Sequence, residues 1–230
     1  KIFKKIGDKK LIEFLLDRLK KSKKINKIVL AIPNNENNIE IKKNLKNKEI
    51  FLGSEDDVLD RYYKASRKYN AKVIVRITGD CPVVDPEIVD EVIKGFFSGN
   101  YDAYSLAGDF PDGLDCQVFS FSAIEKSWKE AKLPSEREHV GVFIEKTHRE
   151  LFKLGELNKF TGLHNYRWTL DEPEDYEFLK KIFFKLYRRN NIFYTQDILN
   201  LMEKEPELMN INSGIVRNEG YKKSLFREKK

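Results

Sequence analysis

Two aspartates in this sequence follow apolar runs that are typical of buried strands. Asp80 comes two residues after the run 72–78, KVIVRIT, and Asp171 directly follows the run 166–170, YRWTL. Ligands of open α/β sheets bind in the crevice at the carboxyl ends of strands. Carboxylates at that edge suit Mg²⁺, which takes oxygen ligands and keeps phosphates and water in its shell. We therefore expect Asp80 and Asp171 to bracket a metal ion and a phosphate-bearing ligand.

Each aspartate has a structural alternative as a helix cap. Asp171 opens Asp-Glu-Pro-Glu-Asp, which is also a plain helix start, so both roles stay open there. For Asp80 the metal role is favoured, because Gly79 indicates close backbone approach and Cys81-Pro delays the next helix. The common phosphate motifs GxxxxGK[ST] and GxGxxG are absent from the sequence, so a phosphate loop would be of another kind.

Composition and charge indicate one globular domain and leave its partners open. The chain has 230 residues, 40% of them hydrophobic, and its 43 basic and 37 acidic residues give a net charge of +6. This balance suits phosphate ligands and also nucleic acid. Ten of the first 25 residues are Lys or Arg, but no nucleic-acid motif accompanies them. A solvated helix face is favoured, and no nucleic-acid partner is expected.

Cysteine usage and apolar runs bear on location. Cys81 and Cys116 form no CxxC pair and lie beside no metal-spaced His, so neither a zinc site nor a disulfide framework is expected. A reducing, cytoplasmic setting fits best. No apolar run is long enough to span a bilayer and no signal peptide is seen, so no membrane partner is expected.

Strands alternate with helices along the chain, which predicts an α/β fold with a mostly parallel sheet covered on both faces. The predicted strands are 27–33, 49–54, 72–78, 101–106, 117–121 and 166–170. The predicted helices are 11–20, a short segment after the loop 34–38, 55–69, 87–97, one with Trp128, one capped by Ser135, one after Asp171, and 195–204. No repeat or linker divides the chain, so we expect a single domain.

Several long collinear motifs resemble one family. They are GSEDDVLDRYYKA at 53–65, VRITGDCPVVDPEIVDEVI at 75–93, FPDGLDCQVFSFSAIEKSWKEAKLPSEREHV at 110–140, YRWTLDEPEDYEFLKKI at 166–182 and RNEGYKKSL at 217–225. They look like the cytidylyltransferase family of the spore-coat polysaccharide type, which is related to CMP-Kdo and CMP-sialic acid synthetases. The resemblance covers nearly the whole chain.

The resemblance implies a Rossmann-like three-layer α/β/α fold with a mostly parallel mixed sheet. It also implies Mg²⁺-dependent transfer of CMP from CTP to a sugar, a sugar acid or a phosphorylated acceptor, with release of pyrophosphate, for surface polysaccharide synthesis. Asp80 and Asp171 match the magnesium-binding positions of the CMP-sugar synthetases. Candidate nucleotide contacts are Ser54, Asp57, Arg61, Arg76, Thr78 and Gly79.

The acceptor side is implied by two polar clusters of the same motifs. They contain Asp112, Gly113, Asp115, Glu136, Arg137 and His139. Arg137 and His139 would hold an acid or phosphate of the acceptor. The alternatives are a capping box for Glu136 and Glu138 and a structural role for His139.

The family resemblance also concerns the first residues. Family members open with a first strand and an arginine-rich loop that ends in Leu-Pro-Gly-Lys, and Lys1 matches that lysine. We therefore expect 1–230 to be one nucleotidyltransferase domain without this strand and phosphate loop, with Lys1 near the β- and γ-phosphates. Either the strand and loop precede Lys1 in a longer protein, which is favoured because loss of a central strand would be costly, or the protein has lost them. Two other functions stay open: a glycosyltransferase with a similar sheet that uses a nucleotide sugar, and a non-catalytic binding module of the same fold. The family resemblance also suggests a homodimer.

Overall fold

The computed structural model describes residues 2–35, 45, 48–187, 192–215, 217 and 219–228. Lys1 and most of the helical segment predicted after the loop 34–38 lie outside the described residues. Among the described residues, no helix is both long and apolar enough to cross a bilayer.

The strands form a hairpin, a parallel pair and a four-stranded mixed sheet. Their bounds are β1 Lys5–Ile6, β2 Lys9–Lys10, β3 Val29–Pro33, β4 Glu49–Gly53, β5 Val73–Arg76, β6 Ala103–Gly108, β7 Gln117–Ser120 and β8 Leu154–Phe160. β3 pairs with β4 in parallel, and the larger sheet has the order β5-β7-β6-β8. β7 runs antiparallel to both its neighbours, whereas β6 and β8 are parallel, so β5, β6 and β8 share one direction.

Helices connect these strands. The α-helices are α1 Leu11–Leu19, α2 Val58–Lys68, α3 Pro86–Phe97, α4 Phe121–Glu130, α5 Pro134–Glu138, α6 Pro173–Leu186, α7 Thr195–Lys204 and α8 Glu219–Glu228. A π-helical turn covers Phe143–Thr147, and 3₁₀ turns cover Arg149–Leu151 and Pro206–Ile211. Local sequence explains the starts of two helices: the Asp57 carboxylate accepts from the Asp60 N–H at 2.8 Å, and that of Asp85 accepts from the Glu87 N–H at 2.9 Å, with Pro86 in the first turn.

Two apolar clusters cover opposite faces of the four-stranded sheet, as the alternation along β7 illustrates. Val118 belongs to the larger cluster, with side chains of α1, α3, α6 and α7. Its neighbour Phe119 belongs to the second cluster, with Leu59 of α2, Ile124 of α4 and Phe143 of the π turn. Helices therefore lie on both faces of the sheet, and the predicted three-layer α/β/α fold with a mixed sheet is confirmed.

Two sequence-based strand assignments were wrong. The run 166–170 is an irregular buried segment that forms an isolated parallel bridge between Arg167 and Asp112 instead of a strand. Its apolar residues predict a strand, but side-chain packing buries them without a ladder of inter-strand hydrogen bonds. β8, Leu154–Phe160, was missed because it interleaves Glu156, Asn158 and Lys159 with apolar residues and is half-exposed at the sheet edge.

The start of α5 also differs from the prediction. Ser135 lies inside the helix, and the capping residue is Leu133. The Glu136 carboxylate accepts from the backbone N–H groups of Lys132 and Leu133, at 2.9 and 3.0 Å. The capping role predicted as an alternative for Glu136 therefore matches its observed contacts, and the cap of the helix lies two residues before the predicted cap at Ser135.

Candidate active site

The sheet topology gathers three aspartates at one edge. Asp80 follows β5 and Asp112 follows β6, so both come after the carboxyl ends of strands that share a direction. Asp115 precedes β7, whose reversed direction brings its start to that same edge. Burial, and after it the carboxylates of Asp80, Asp115 and Asp112, raise the pKa of the Cys81 thiol, which places all three close to this residue. We call Asp80, Asp112, Asp115 and Asp171 the carboxylate edge.

Backbone contacts bring Asp171 to this edge although no strand delivers it. The Asp80 carbonyl oxygen accepts from the Leu170 N–H at 2.9 Å and from the Thr169 hydroxyl at 3.2 Å. The irregular segment that ends at Asp171 is thus fixed beside Asp80. The two predicted metal ligands belong to segments that the fold joins directly.

Arg167 organises the carboxylates around this segment. Its guanidinium donates to both oxygens of Asp175 at 2.9 Å, to Asp112 at 2.8 Å and to Asp171 at 3.2 Å. Asp175 is fully buried, which opposes ionisation, but hydrogen bonds from Arg167, from the Glu172 and Asp171 N–H groups and from Asn212 outweigh burial and lower its pKa. Arg167 therefore contacts Asp175, whose ionised form is favoured, on one side and Asp171 on the other.

Asp112 has a different electrostatic environment. Burial first, and then the Asp115 carboxylate, raise the pKa of Asp112 to about 6, against the opposing charges of Arg217 and Arg167. Arg217 Nε lies 3.7 Å from Asp112, and its Nη2 lies 3.6 Å from Asp115. Arg217 also donates to the Phe110 carbonyl at 2.8 Å, so a residue near the end of the chain reaches back to the edge.

Gly113 has a conformational role at this edge. Its φ is +103°, and a Cβ there would lie 2.6 Å from the Trp168 carbonyl carbon. Only glycine lets the 110–113 loop pass this close to the irregular segment. The structure thus gives Gly113 a backbone function where the sequence indicated an acceptor contact.

The predicted nucleotide loop is internally bonded. The Ser54 hydroxyl accepts from the Asp57 N–H at 3.1 Å, and Arg61 donates to the Ser54 carbonyl oxygen. Asp57 caps α2 and also accepts from the Arg137 guanidinium. Arg137 donates further to the Trp128 carbonyl at 2.7 Å. These contacts bring together Ser54, Asp57 and Arg61. Arg137, which was predicted to bind the acceptor with His139, contacts this loop instead.

The residues at the end of β5 diverge in their contacts. Arg76 donates to the Gln117 side-chain oxygen at 2.7 Å, while the Thr78 hydroxyl lies 3.1 Å from the Cys81 sulfur. A Cβ on Gly79 would meet only ordinary contacts, the nearest described atom being in Ile2 at 3.7 Å. The close approach inferred for Gly79 is therefore not found among the described residues.

A cavity of about 700 Å³ opens next to the carboxylate edge. We call it the sheet cavity, because it lies against β6 and the ends of β5, β7 and β8 and is covered by the π turn. Of the predicted site residues, Arg76, Asp115 and His139 line it. Seven further polar or charged residues of its lining are Ser105, Gln117, Glu145, Lys146, Arg149, Glu156 and Tyr221. Asp115 thus connects the sheet cavity with the carboxylate edge.

The second acceptor cluster divides between structure and cavity. Glu136 is buried and caps α5, and it also accepts from the Thr147 hydroxyl at 2.7 Å. His139 Nε2 lies 3.1 Å from the Ser224 hydroxyl, and burial lowers the pKa of its ring. Of the residues Glu136, Arg137 and His139, only His139 faces the sheet cavity.

Sequence reasoning missed the cavity residues on β6, β7 and the π turn. Gln117 and Ser105 are ordinary residues of half-buried strands, and their proximity to Glu145 arises only in the folded sheet. The sequence contained one signal for Glu145. It directly follows the apolar residues Val142, Phe143 and Ile144, which are buried, so its own backbone lies next to the core. A lone acid at that position indicates a partnered or functional carboxylate.

Comparison with known proteins gives similarity over nearly the whole chain. A family model described as Cytidylyltransferase matches residues 1–206. An uncharacterized protein of Methanocaldococcus jannaschii is 37% identical over 228 residues, covering 96% of this chain and 91% of the relative. The spore coat polysaccharide biosynthesis protein SpsF of Bacillus subtilis is 29% identical over 216 residues, covering 90% of this chain and 89% of SpsF. A solved cytidylyltransferase structure from Leptospira borgpetersenii is 32% identical with a TM-score of 0.84, covering 91% of this chain and 89% of that chain.

Proposed function

Because the chain belongs to the cytidylyltransferase family and is therefore a nucleotidyltransferase, we propose that it transfers CMP from CTP to a small polar acceptor. The observation that carries the proposal is the carboxylate edge beside the sheet cavity. A nucleotide held at the edge and an acceptor held in the cavity would meet near Asp115. Family membership favours this reaction over glycosyl transfer and over a non-catalytic module. The product would serve surface polysaccharide synthesis.

The carboxylate edge has the donor chemistry for a divalent cation, with Mg²⁺ as our proposal. Its side chains offer carboxylate oxygens, the ligands that hard cations prefer. In the described part of the chain, no three His, Cys, Asp or Glu side chains form a closed metal cluster. Asp80 and Asp171 would therefore hold the ion with phosphate oxygens and water, as Mg²⁺ commonly binds. When bound, the ion would offset negative charge on the phosphates during the reaction.

The residues of the chain would mainly bind and orient the two substrates. The acceptor oxygen would attack the α-phosphorus in line, forming a new P–O bond while the bond to the bridging oxygen breaks and pyrophosphate leaves. Arg167 would keep Asp171 in place, and Ser54, Asp57, Arg61, Arg76, Thr78 and Gly79 stay candidates for the nucleotide side. Lys1, proposed for the β- and γ-phosphates, lies outside the described residues. Cytoplasmic location and a homodimer stay predictions.

Calorimetric titration with CTP, UTP, GTP and ATP, each with and without Mg²⁺, tests the nucleotide. Metal-dependent binding that is strongest for CTP supports the proposal. Preference for another triphosphate would keep the reaction class and overturn the cytidylyl assignment. Binding of none would overturn the proposed function.

Asp80→Asn and Asp171→Asn test the metal site. Each should lower turnover by at least about a hundredfold, a loss in the range found when one stabilising group is removed from a site, with unchanged thermal unfolding. Pyrophosphate release is the readout, and Glu203→Gln, an exposed carboxyl of α7, is the matched control. Near-normal turnover of both Asp variants would contradict the proposed metal site.

A further inference from the structure

A row of four polar side chains crosses the sheet beneath the cavity. Arg76 of β5 is opposite Gln117 of β7, Gln117 is opposite Ser105 of β6, and Ser105 is opposite Glu156 of β8. Residues in register point to the same face of a sheet, and all four line the sheet cavity. We call Arg76, Gln117, Ser105 and Glu156 the polar row.

The next row on that face is apolar, so the polar row is a local exception. It contains Ile74, Phe119, Ala103 and Leu154, in the same cross-strand register. Three of these belong to the second apolar cluster, and Leu154 packs against it. A covered sheet face of this kind ordinarily stays apolar because buried polar groups need partners. The polar row therefore marks the part of the face that is built for a polar ligand.

Glu145 of the π turn covers the polar row and is fixed by it. The Ser105 hydroxyl donates to one carboxylate oxygen and the Gln117 amide donates to the other. Arg76 donates to the opposite end of the Gln117 amide, which sets the orientation of that amide. Gly141 leaves room for this contact, since a Cβ there would lie 2.7 Å from both Gln117 Nε2 and Glu145 Oε2.

The carboxylate of Glu145 keeps hydrogen-bonding capacity on the cavity side. A carboxylate has about four acceptor positions, and the two neutral donors use two of them. None of the ion pairs formed between described residues includes Glu145, although burial raises the pKa of this carboxyl. Glu145 is half-buried, and its direct hydrogen-bond donors Ser105 and Gln117 are neutral. The positive charges of Arg76 and Lys146 partly oppose the effect of burial on its pKa. The carboxylate is therefore held in place with acceptor positions left for a ligand.

Two basic residues that follow Glu145 in the sequence line the same cavity. Lys146 and Arg149 are exposed and line the cavity, and Lys146 Nζ lies 3.9 Å from the centre of the Tyr221 ring. His139 also lines the cavity, but burial lowers the pKa of its ring, so it offers a polar ring nitrogen rather than a positive charge. The sheet cavity therefore combines a fixed hydrogen-bond acceptor with cationic groups that suit an anion.

We propose that Glu145 is the residue that selects the acceptor, by requiring hydroxyl groups beside the acid or phosphate that the family resemblance implies. The Glu145 carboxylate would accept hydrogen bonds from acceptor hydroxyls, while Lys146, Arg149 and His139 bind a carboxylate or phosphate group. The role assigned to the ligand rests on the proposed function, but its binding is measurable without turnover.

The test is calorimetric binding of four probes to the full chain. They are D-gluconate, D-glucose 1-phosphate, uncharged D-glucose and hexanoate, which has charge but no hydroxyl groups. We expect gluconate or glucose 1-phosphate to bind at least about tenfold more tightly than glucose and hexanoate, since hydrogen bonds to charged groups have that strength. The stronger of the first two identifies a carboxylate or a phosphate as the anion. Equal binding of glucose, or no binding of either polyhydroxylated anion, overturns the proposal.

Variants separate the role of Glu145 from folding. Glu145→Gln should weaken binding of the preferred anion about tenfold or more and leave hexanoate and CTP binding unchanged. Ser105→Ala, which removes one orienting donor without a charge change, should give a smaller loss of the same kind. Glu150→Gln, on the exposed neighbouring turn, is the matched control. Unchanged selectivity in Glu145→Gln and Ser105→Ala overturns the proposal, whereas loss of CTP binding by the wild-type protein counts against the proposed function instead.

Discussion

Asp112 and Asp175 contact the same arginine, yet their ionisation differs. Asp175 accepts hydrogen bonds from Arg167, two backbone N–H groups and Asn212, and these lower its pKa despite complete burial. Asp112 receives one bond from Arg167 and faces the Asp115 carboxylate, and burial raises its pKa to about 6. Burial raises the pKa of both carboxyl groups, so the additional hydrogen-bond donors of Asp175 explain why its pKa is lowered while that of Asp112 is raised. Asp175 can therefore anchor Arg167, and Arg167 in turn orients Asp171.

Arg167→Ala tests this anchor. It leaves the buried Asp175 carboxylate without its cation, and we expect the free energy of unfolding to fall by about 3–5 kcal/mol. Urea denaturation measures this loss. Asp175→Asn should lower the free energy of unfolding much less in the Arg167→Ala background than in the wild-type protein. The reason is that the carboxylate it removes has already lost its cation. Additive losses across the double-mutant cycle would show that the two side chains are not coupled.

At the residue scale, the sequence indicated acids at strand ends but not groups that converge through tertiary contacts. Asp80 and Asp171 could be singled out because each follows an apolar run. Glu145 also follows apolar residues, but its role could not be assigned from the sequence, because its partners Gln117 and Ser105 lie 28 and 40 residues away on β7 and β6. Arg137 was assigned to the acceptor, but an unforeseen contact 80 residues away joins it to Asp57.

At the element scale, irregular segments build much of the carboxylate edge. The Asp112 N–H donates to the Tyr166 carbonyl at 2.9 Å, and the Trp168 N–H donates to the Asp112 carbonyl at 2.7 Å. These two hydrogen bonds hold the segment beside Asp112, as strand pairing would hold a longer segment. The run 166–170 misled the strand prediction because complete burial, as at Trp168 and Leu170, gives the same apolar pattern.

Gly113→Ala tests how closely these segments must approach. The new methyl group would press on the backbone at Trp168 and would also occupy a φ of +103°, so we expect a loss of about 3 kcal/mol or more and reduced turnover. Gly162→Ala is the matched control, since its φ of +73° is also positive but nothing lies within 4 Å of the added Cβ. It should lose only about 1–2 kcal/mol. Equal losses in thermal or urea unfolding would mean that close approach contributes nothing.

At the scale of the whole molecule, the site depends on contacts between distant parts of the chain. Arg217 reaches the carboxylate edge, and Tyr221 and Ser224 of α8 contact the basic side of the sheet cavity. Arg217, Tyr221 and Ser224 of the last family motif therefore contact residues of the candidate site. The alternation of elements predicted the three layers, but it gave no information on which end of the chain would complete the cavity.

Arg18 of α1 contacts two turns that are distant in the sequence. Its substitution therefore tests how α1 is held to the rest of the molecule. Arg18 is 4% exposed and donates to the carbonyls of Val84 and Phe193, each at 2.6 Å, with its guanidinium 4.6 Å from the Phe193 ring centre. Arg18→Ala leaves two buried carbonyls without donors, so the free energy of unfolding should fall by about 2–6 kcal/mol. Arg67→Ala, at an exposed position of α2, should change it by less than about 0.5 kcal/mol. If urea unfolding gives the same midpoint for both variants, water replaces the guanidinium and the bonds of Arg18 do not hold α1 to the turns before α3 and α7. If Arg18→Ala instead unfolds at lower urea with an unchanged slope, the whole domain loses stability together, and the distant contacts around the site share one cooperative unit with α1.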